Sequence, residues 1–157
     1  MFFYNLEKHI AIATSPKVAS TSLSQLCNDN PNIWLRSKLQ PADCIWYFLM
    51  RDPVYRFASS MMQYFKDTKQ HFKPIDINEK LFTLNIHFRP QVSFYNQYRE
   101  HHPFLLKYEN LNKILPDFNY NMNKTVYYNE VFNFIKQFEN EIKIIYNKDI
   151  ELYEQAQ

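Results

Sequence analysis

A three-layer α/β fold with a short, mainly parallel sheet flanked by helices is predicted by three stretches of this sequence. "HIAIAT" (His9–Thr14) and "CIWYFLM" (Cys44–Met50) are short, nearly continuous apolar runs, the pattern of strands buried on both faces. Each is followed by a helix start. "FLLKYENL" (Phe104–Leu111) supplies a third strand and a turn. Strands that alternate with helical segments imply α/β layering around a mainly parallel sheet. The chain has 157 residues, no repeat and no long linker, so residues 1–157 read as one domain with a real core.

The elements follow in order. Ser20 to Asn28 reads as a helix with Leu23 and Leu26 inward, and "IWLR" (Ile33–Arg36) as a short strand. After Met50, Asp52 has the character of an N-cap and Pro53 stands at the first helical position. From there to about Lys66, residues Val54, Phe57, Ala58, Met61 and Phe65 share one face at helical spacing. Arg56, Ser59 and Gln63 fall on another. "DTKQHFKPIDINEK" (Asp67–Lys80) reads as a mobile loop. Asn129 to about Gln155 reads as helical, with Val131, Phe132, Ile135, Phe138, Ile142, Ile145, Tyr146 and Tyr153 at helical spacing.

Composition narrows the function. Hydrophobic residues make up 46% of the chain, too many for a disordered segment. The 18% aromatic share reads first as core packing and second as a surface for stacking sugars or bases. A net charge of +2 is too small for a general nucleic-acid binder, yet it allows a local basic pocket for a small anion. Cys27 and Cys44 lack metal-ligand spacing and read as free thiols of a reducing compartment, with a disulfide between them as the alternative. The N-terminus lacks a basic segment and a cleavage site, and no apolar run approaches the ~20 residues that span a bilayer. The expectation is a soluble, cytoplasmic protein with neither nucleic-acid nor membrane partners.

The stretch "IAIATSPKVASTSLSQL" (Ile10–Leu26) places a tight loop between the first buried strand and a helix. Free amides at a helix N-terminus bind anions without a dedicated base. Pro16, Lys17, Val18, Ala19, Ser20, Thr21 and Ser22 form the candidate cradle. Lys17 supplies a point charge, the hydroxyls of Ser20, Thr21 and Ser22 supply donors, and the small residues allow close approach. The fold is therefore P-loop-like in outline. It lacks the GxxxxGK[ST] pattern, because Lys17 stands four residues before Thr21 and the chain contains no glycine. The missing glycine is tolerable if the loop uses no left-handed residue. A plain strand-to-helix turn capped by a serine is the structural alternative.

"FLMRDPVYRFASSMMQYF" (Phe48–Phe65) adds a second basic element. Ligands of open α/β sheets sit beyond the carboxyl ends of the strands, where Arg51 falls. Ser59 lies two helical turns on and could share a second phosphate with it. Two separate phosphate sites suggest a nucleotide with phosphates at two ends.

These two stretches resemble known motifs. "PKVASTSL" is similar to the 5′-phosphosulfate loop of sulfotransferases, and "RDPVYRFASS" to their 3′-phosphate motif, an arginine followed eight residues later by a serine. "NIHFRPQVSFYNQY", "LLKYENL" and "IYNKDIELYE" resemble later blocks of the carbohydrate sulfotransferases of the Golgi type, the family-two-like branch. The resemblance spans most of the chain in the right order. It implies transfer of a sulfuryl group from 3′-phosphoadenosine 5′-phosphosulfate (PAPS) to a hydroxyl or amine of a small-molecule or carbohydrate acceptor. The product is the bisphosphate PAP, and no metal is needed. It further implies that Lys17, Ser20, Thr21 and the loop backbone hold the 5′ end, that Arg51 and Ser59 hold the 3′-phosphate, and that Lys17 stabilises the leaving phosphate. Against the family pattern the chain is short and has Ala19 and Ser20 where many relatives have glycine. It reads as a stripped core, its acceptor cleft open or completed by a second subunit of a homo-oligomer.

A hydroxyl acceptor calls for a general base. His87, within "HFRPQ", is the leading candidate, and His71 in the preceding loop is next. Glu79 and Glu109 are outsiders, and Glu109 more naturally fixes a turn. His9, His101 and His102 precede strands and belong to the end away from the cofactor. Arg89 and Gln91 read either as pocket residues or as neighbours of a structural kink at Pro90. Two other functions stay open: a P-loop-type small-molecule kinase, and a non-catalytic nucleotide-binding module.

Overall fold

The computed structural model describes residues 2–37, 41, 43–116, 118 and 129–157. Its elements are β1 (Phe2–Asn5), β2 (Ile10–Thr14), α1 (Ser20–Asp29), β3 (Trp34–Ser37), β4 (Ile45–Met50), α2 (Pro53–Thr68), α3 (Leu81–Leu84), α4 (Gln91–Tyr95), β5 (Phe104–Lys107), α5 (Leu111–Ile114), α6 (Asn129–Gln137), α7 (Glu139–Ile145) and α8 (Asn147–Gln155). The strands form one sheet in the order β3-β1-β2-β4-β5.

The sheet is mixed rather than mainly parallel. β2 pairs parallel with β4, and β4 with β5, but β1 runs antiparallel to both β2 and β3. The unforeseen element is β1. Its "FFYN" is short, and the turn at residues 6–9 folds it straight back on β2. An antiparallel neighbour needs only such a tight connection, whereas a parallel one needs a crossover.

Period-two alternation sorts the side chains onto two faces. Phe3, Ile12, Leu49 and Leu106 point to the face covered by Leu23 and Cys27 of α1 and Leu111 of α5. Phe2, Ala11, Ala13, Trp46, Phe48 and Met50 point to the other, where Tyr98 and Ala156 cover them and residues of α4 and α8 pack alongside. Each fully buried Phe or Leu contributes ~1.5–3 kcal/mol. A third cluster packs Phe57, Met61 and Phe65 of α2 against Leu81, Phe88, Phe134, Ile142 and Tyr146.

The C-terminal helical stretch is three helices, broken at Phe138 and Tyr146, whose ψ values of 22° and 23° leave the helical range. Its inward register runs through Val131, Phe134, Ile142 and Tyr146. Phe132, expected inward, is 49% exposed because it lies one residue out of that register.

The connection from β2 goes through α1 on one face toward the β3 edge. The connection from β4 goes through α2 to α4 on the other face toward the β5 edge. The gap between β2 and β4 is therefore a topological switch point, and the carboxyl ends of both strands open into it.

Candidate functional site

Thr14 of β2 and Leu49 of β4 are register partners, so the loop Ser15–Ala19 and the residue Arg51 leave the sheet side by side. The loop overturns one expectation. Lys17 (φ 67°) and Ala19 (φ 55°) are both left-handed, without glycine. Each costs an L-residue about 1–2 kcal/mol, so the surroundings must enforce the shape. They do so through the carbonyls. Arg56 Nε donates to Pro16 O at 3.1 Å, Arg51 Nη1 to Lys17 O at 3.2 Å, and Thr14 Oγ1 to Val18 O. The Val18 side chain is fully buried beside Leu23 and Leu49, and its amide donates to Ser15 O at 3.3 Å, so Val18 shapes the loop from within. Alternation of right- and left-handed residues is the backbone pattern of anion-binding concavities, and Lys17 and Ala19 supply two left-handed positions.

α1 starts at Ser20 with Ala19 as its N-cap. Ala19 has no side chain that could cap the first amides, and the first turn has no acidic residue. The positive end of such a helix favours an anion beside it. Thr21 is exposed, Ser20 half-buried, and Ser22 buried and turned to the interior.

Arg51 and Ser59 meet as the spacing foretold. Arg51 Nη1 donates to Ser59 Oγ at 2.9 Å. Asp52 caps α2 through bonds from the Val54 and Tyr55 amides, which fixes where Arg51 leaves the strand. The backbone of Arg51 is bracketed by Gln91, whose Oε1 accepts from Arg51 N at 3.0 Å while its Nε2 donates to Arg51 O at 2.8 Å. Gln91 is fully buried and serves the framework, not an acceptor. Arg56 is likewise 0% exposed. Its guanidinium joins Pro16 O to Arg89 O and lies in the field of Asp149, which accepts from the Gln91 and Val92 amides.

Lys17, Thr21 and Ser59 line a cavity of about 790 Å³, and Lys66, Lys69 and His71 line it as well. This volume lies within the ~300–1,000 Å³ of small-molecule sites. The sequence reading missed Lys66 and Lys69, although the former stands seven residues beyond Ser59 on the same stripe of α2. Burial and the neighbouring Arg51 and Lys66 push the Lys17 ammonium below its ordinary range, and Asp67 pulls it back.

The histidines divide. His71 is in the cavity wall. His87 is half-buried, its Nδ1 enclosed without a hydrogen-bond partner, its Nε2 3.9 Å from Asp67 Oδ2. Burial, Lys17 and Arg56 lower its pKa against the opposing pull of Asp67. His9 and His101 stand at the amino ends of β2 and β5, where His9 Nδ1 bonds the Tyr4 hydroxyl and His101 stacks on Trp46 at 4.3 Å. Glu109 Oε2 accepts from the Tyr153 hydroxyl at 3.4 Å. Both cysteines are free. Among the described residues no helix is long and apolar enough to cross a membrane, and no cluster of ligating side chains could hold a metal ion.

Comparison with known proteins gives no match, whether to family models, to curated proteins or to solved structures.

Proposed function

We propose that the chain is a PAPS-dependent sulfotransferase with a P-loop-like cradle acting on a hydroxyl- or amine-bearing acceptor such as a carbohydrate. The observation that carries this reading is the Arg51 guanidinium, whose Nη1 touches both the loop carbonyl of Lys17 and the hydroxyl of Ser59. One side chain thereby ties the cradle for a 5′-phosphosulfate to the clamp for a 3′-phosphate, at a switch point where α/β sheets bind ligands.

In this reading the start of α1 and the left-handed loop receive the 5′ phosphosulfate. The acceptor oxygen attacks sulfur from the side opposite the bridging oxygen. The new O–S bond forms as the S–O bond to the 5′-phosphate breaks, and PAP leaves with the electron pair. Lys17 meets the charge that builds on that phosphate, a preorganised contact of the kind worth about 3–4 kcal/mol. The acceptor's proton passes to a histidine. His71 shares the cavity with Lys17, whereas His87 keeps one ring nitrogen enclosed and sets the other beside Asp67. We therefore assign the base to His71 and a neighbouring, electrostatic role to His87.

Thermal shift with PAP and with ATP–Mg²⁺, followed by sulfate transfer to a panel of acceptors, tests the assignment. PAP at 100 times its Kd should stabilise the fold by about 2.7 kcal/mol without metal. A clear shift with ATP–Mg²⁺ and none with PAP would favour a kinase. PAP binding without transfer would favour a non-catalytic nucleotide-binding module.

A further inference from the structure

A polar row runs along α2 beside the cradle. Lys17 Nζ donates to Gln63 Oε1 at 3.1 Å, and Gln63 Nε2 donates to Asp67 Oδ1 at 2.5 Å. A carboxamide has one accepting and one donating end, so a single Gln63 rotamer serves a cation on one side and a carboxylate on the other. The second oxygen of Asp67 lies 3.9 Å from His87 Nε2, too far for a good hydrogen bond. The hydrophobic packing of α2 does not require these links, since Phe57, Met61 and Phe65 carry it.

We propose that Gln63 and Asp67 are positioning residues that hold the Lys17 ammonium against α2 and keep it charged, with His87 as the far end of the same row. The proposal rests on the reading of Lys17 as the leaving-group residue. A lysine that had lost its proton could not meet a growing phosphate charge. The surroundings of Lys17 favour that loss: it is half-buried, with Arg51 at the end of β4 and Lys66 on α2 both acting against its charge. Lys69 and His71 share its cavity, and Glu130 at the start of α6 is the carboxylate in that wall. Asp67 acts in the opposite sense on both Lys17 and His87, and Gln63 is its hydrogen-bonded link to the former.

The test is an NMR titration of the Lys17 side chain in the full chain without ligand, its signal assigned by its loss in Lys17→Arg. As pH rises through the Lys17 pKa the neutral amine takes over. Asp67→Asn and Gln63→Leu are each expected to move that transition to lower pH, and Asp67→Glu to restore it. PAP affinity, measured across the same range, should fall off at lower pH in Asp67→Asn than in the unaltered protein. An ordinary exposed helix pair would change melting slightly and leave the Lys17 transition in place, which would overturn the proposal. So would a shift that Asp67→Glu does not reverse. If Lys17 responds as expected while the unaltered protein ignores PAP, the row stands and the sulfotransferase reading falls.

Discussion

Ala19 occupies a backbone region that glycine usually fills, and it does so in a chain with no glycine to offer. Substituting Ala19→Gly removes a steric cost of about 1–2 kcal/mol and adds an entropic one of about 0.5–1 kcal/mol. Its melting temperature should stay near that of the unaltered protein or rise slightly. Ala19→Val puts a branched β-carbon in the same place and should destabilise by more than ~1 kcal/mol. A more stable valine variant would show that the loop is not held left-handed in solution. Arg51 offers a sharper test of function. Arg51→Ala removes a charge-assisted contact of ~1.5–3 kcal/mol, roughly a 10–100-fold loss of affinity. Calorimetry should find the larger loss for PAP and a smaller one for adenosine 5′-phosphosulfate, which has no 3′-phosphate but still meets the loop whose Lys17 carbonyl Arg51 holds. Equal losses for both would remove Arg51 from the 3′ site. The Arg51–Ser59 pairing was legible in the sequence because α2 starts two residues after Arg51 and Ser59 lies less than two turns into it, on the side where the strand ends. The left-handed loop was not legible, because the guanidinium donors that hold the Pro16 and Lys17 carbonyls, Arg56 and Arg51, come from far along the chain.

At the scale of elements, the readable ones carried local signals. Asp52 and Pro53 announce α2, and both act as expected: the carboxylate accepts from two amides and the proline fills the first turn. Asp52→Ala should cost about 1 kcal/mol of stability, read as a lower denaturant midpoint with an unchanged slope. PAP affinity should change less than in Arg51→Ala, since the Gln91 bracket still holds the Arg51 backbone. A loss of PAP binding as large as that of Arg51→Ala would mean that the cap, rather than the bracket, places the arginine. Elements without such signals were misjudged. β1 lies in a segment whose pairing is decided by partners on both sides, and the breaks at Phe138 and Tyr146 follow no proline or glycine.

At the scale of the whole molecule, the site depends on a residue at the far end of the chain. Asp149 of α8 is fully buried and accepts from Gln91 N at 2.6 Å and Val92 N at 2.8 Å. Gln91 in turn brackets Arg51, and Arg56, in the field of Asp149, clasps Pro16 of the cradle and Arg89. Burial pushes the Asp149 carboxyl above its usual range, while the two amides and Arg56 oppose that push. No local pattern in "NKDIELYE" marks a buried acid. Its role comes from a strand end and a loop that approach it only in the folded chain. Asp149→Ala leaves the Gln91 and Val92 amides without their acceptor and removes the carboxyl group whose field reaches the buried Arg56. A buried donor left without its acceptor costs about 1–3 kcal/mol. The variant should therefore melt well below the unaltered protein. Where it is still folded, it should bind PAP more weakly, because the bracket around Arg51 has lost its anchor. Arg51→Ala should instead lose PAP affinity with a smaller change in melting. If Asp149→Ala, folded at low temperature, binds PAP as tightly as the unaltered protein, then Arg51 is placed by α2 alone and α8 contributes stability without reaching the site.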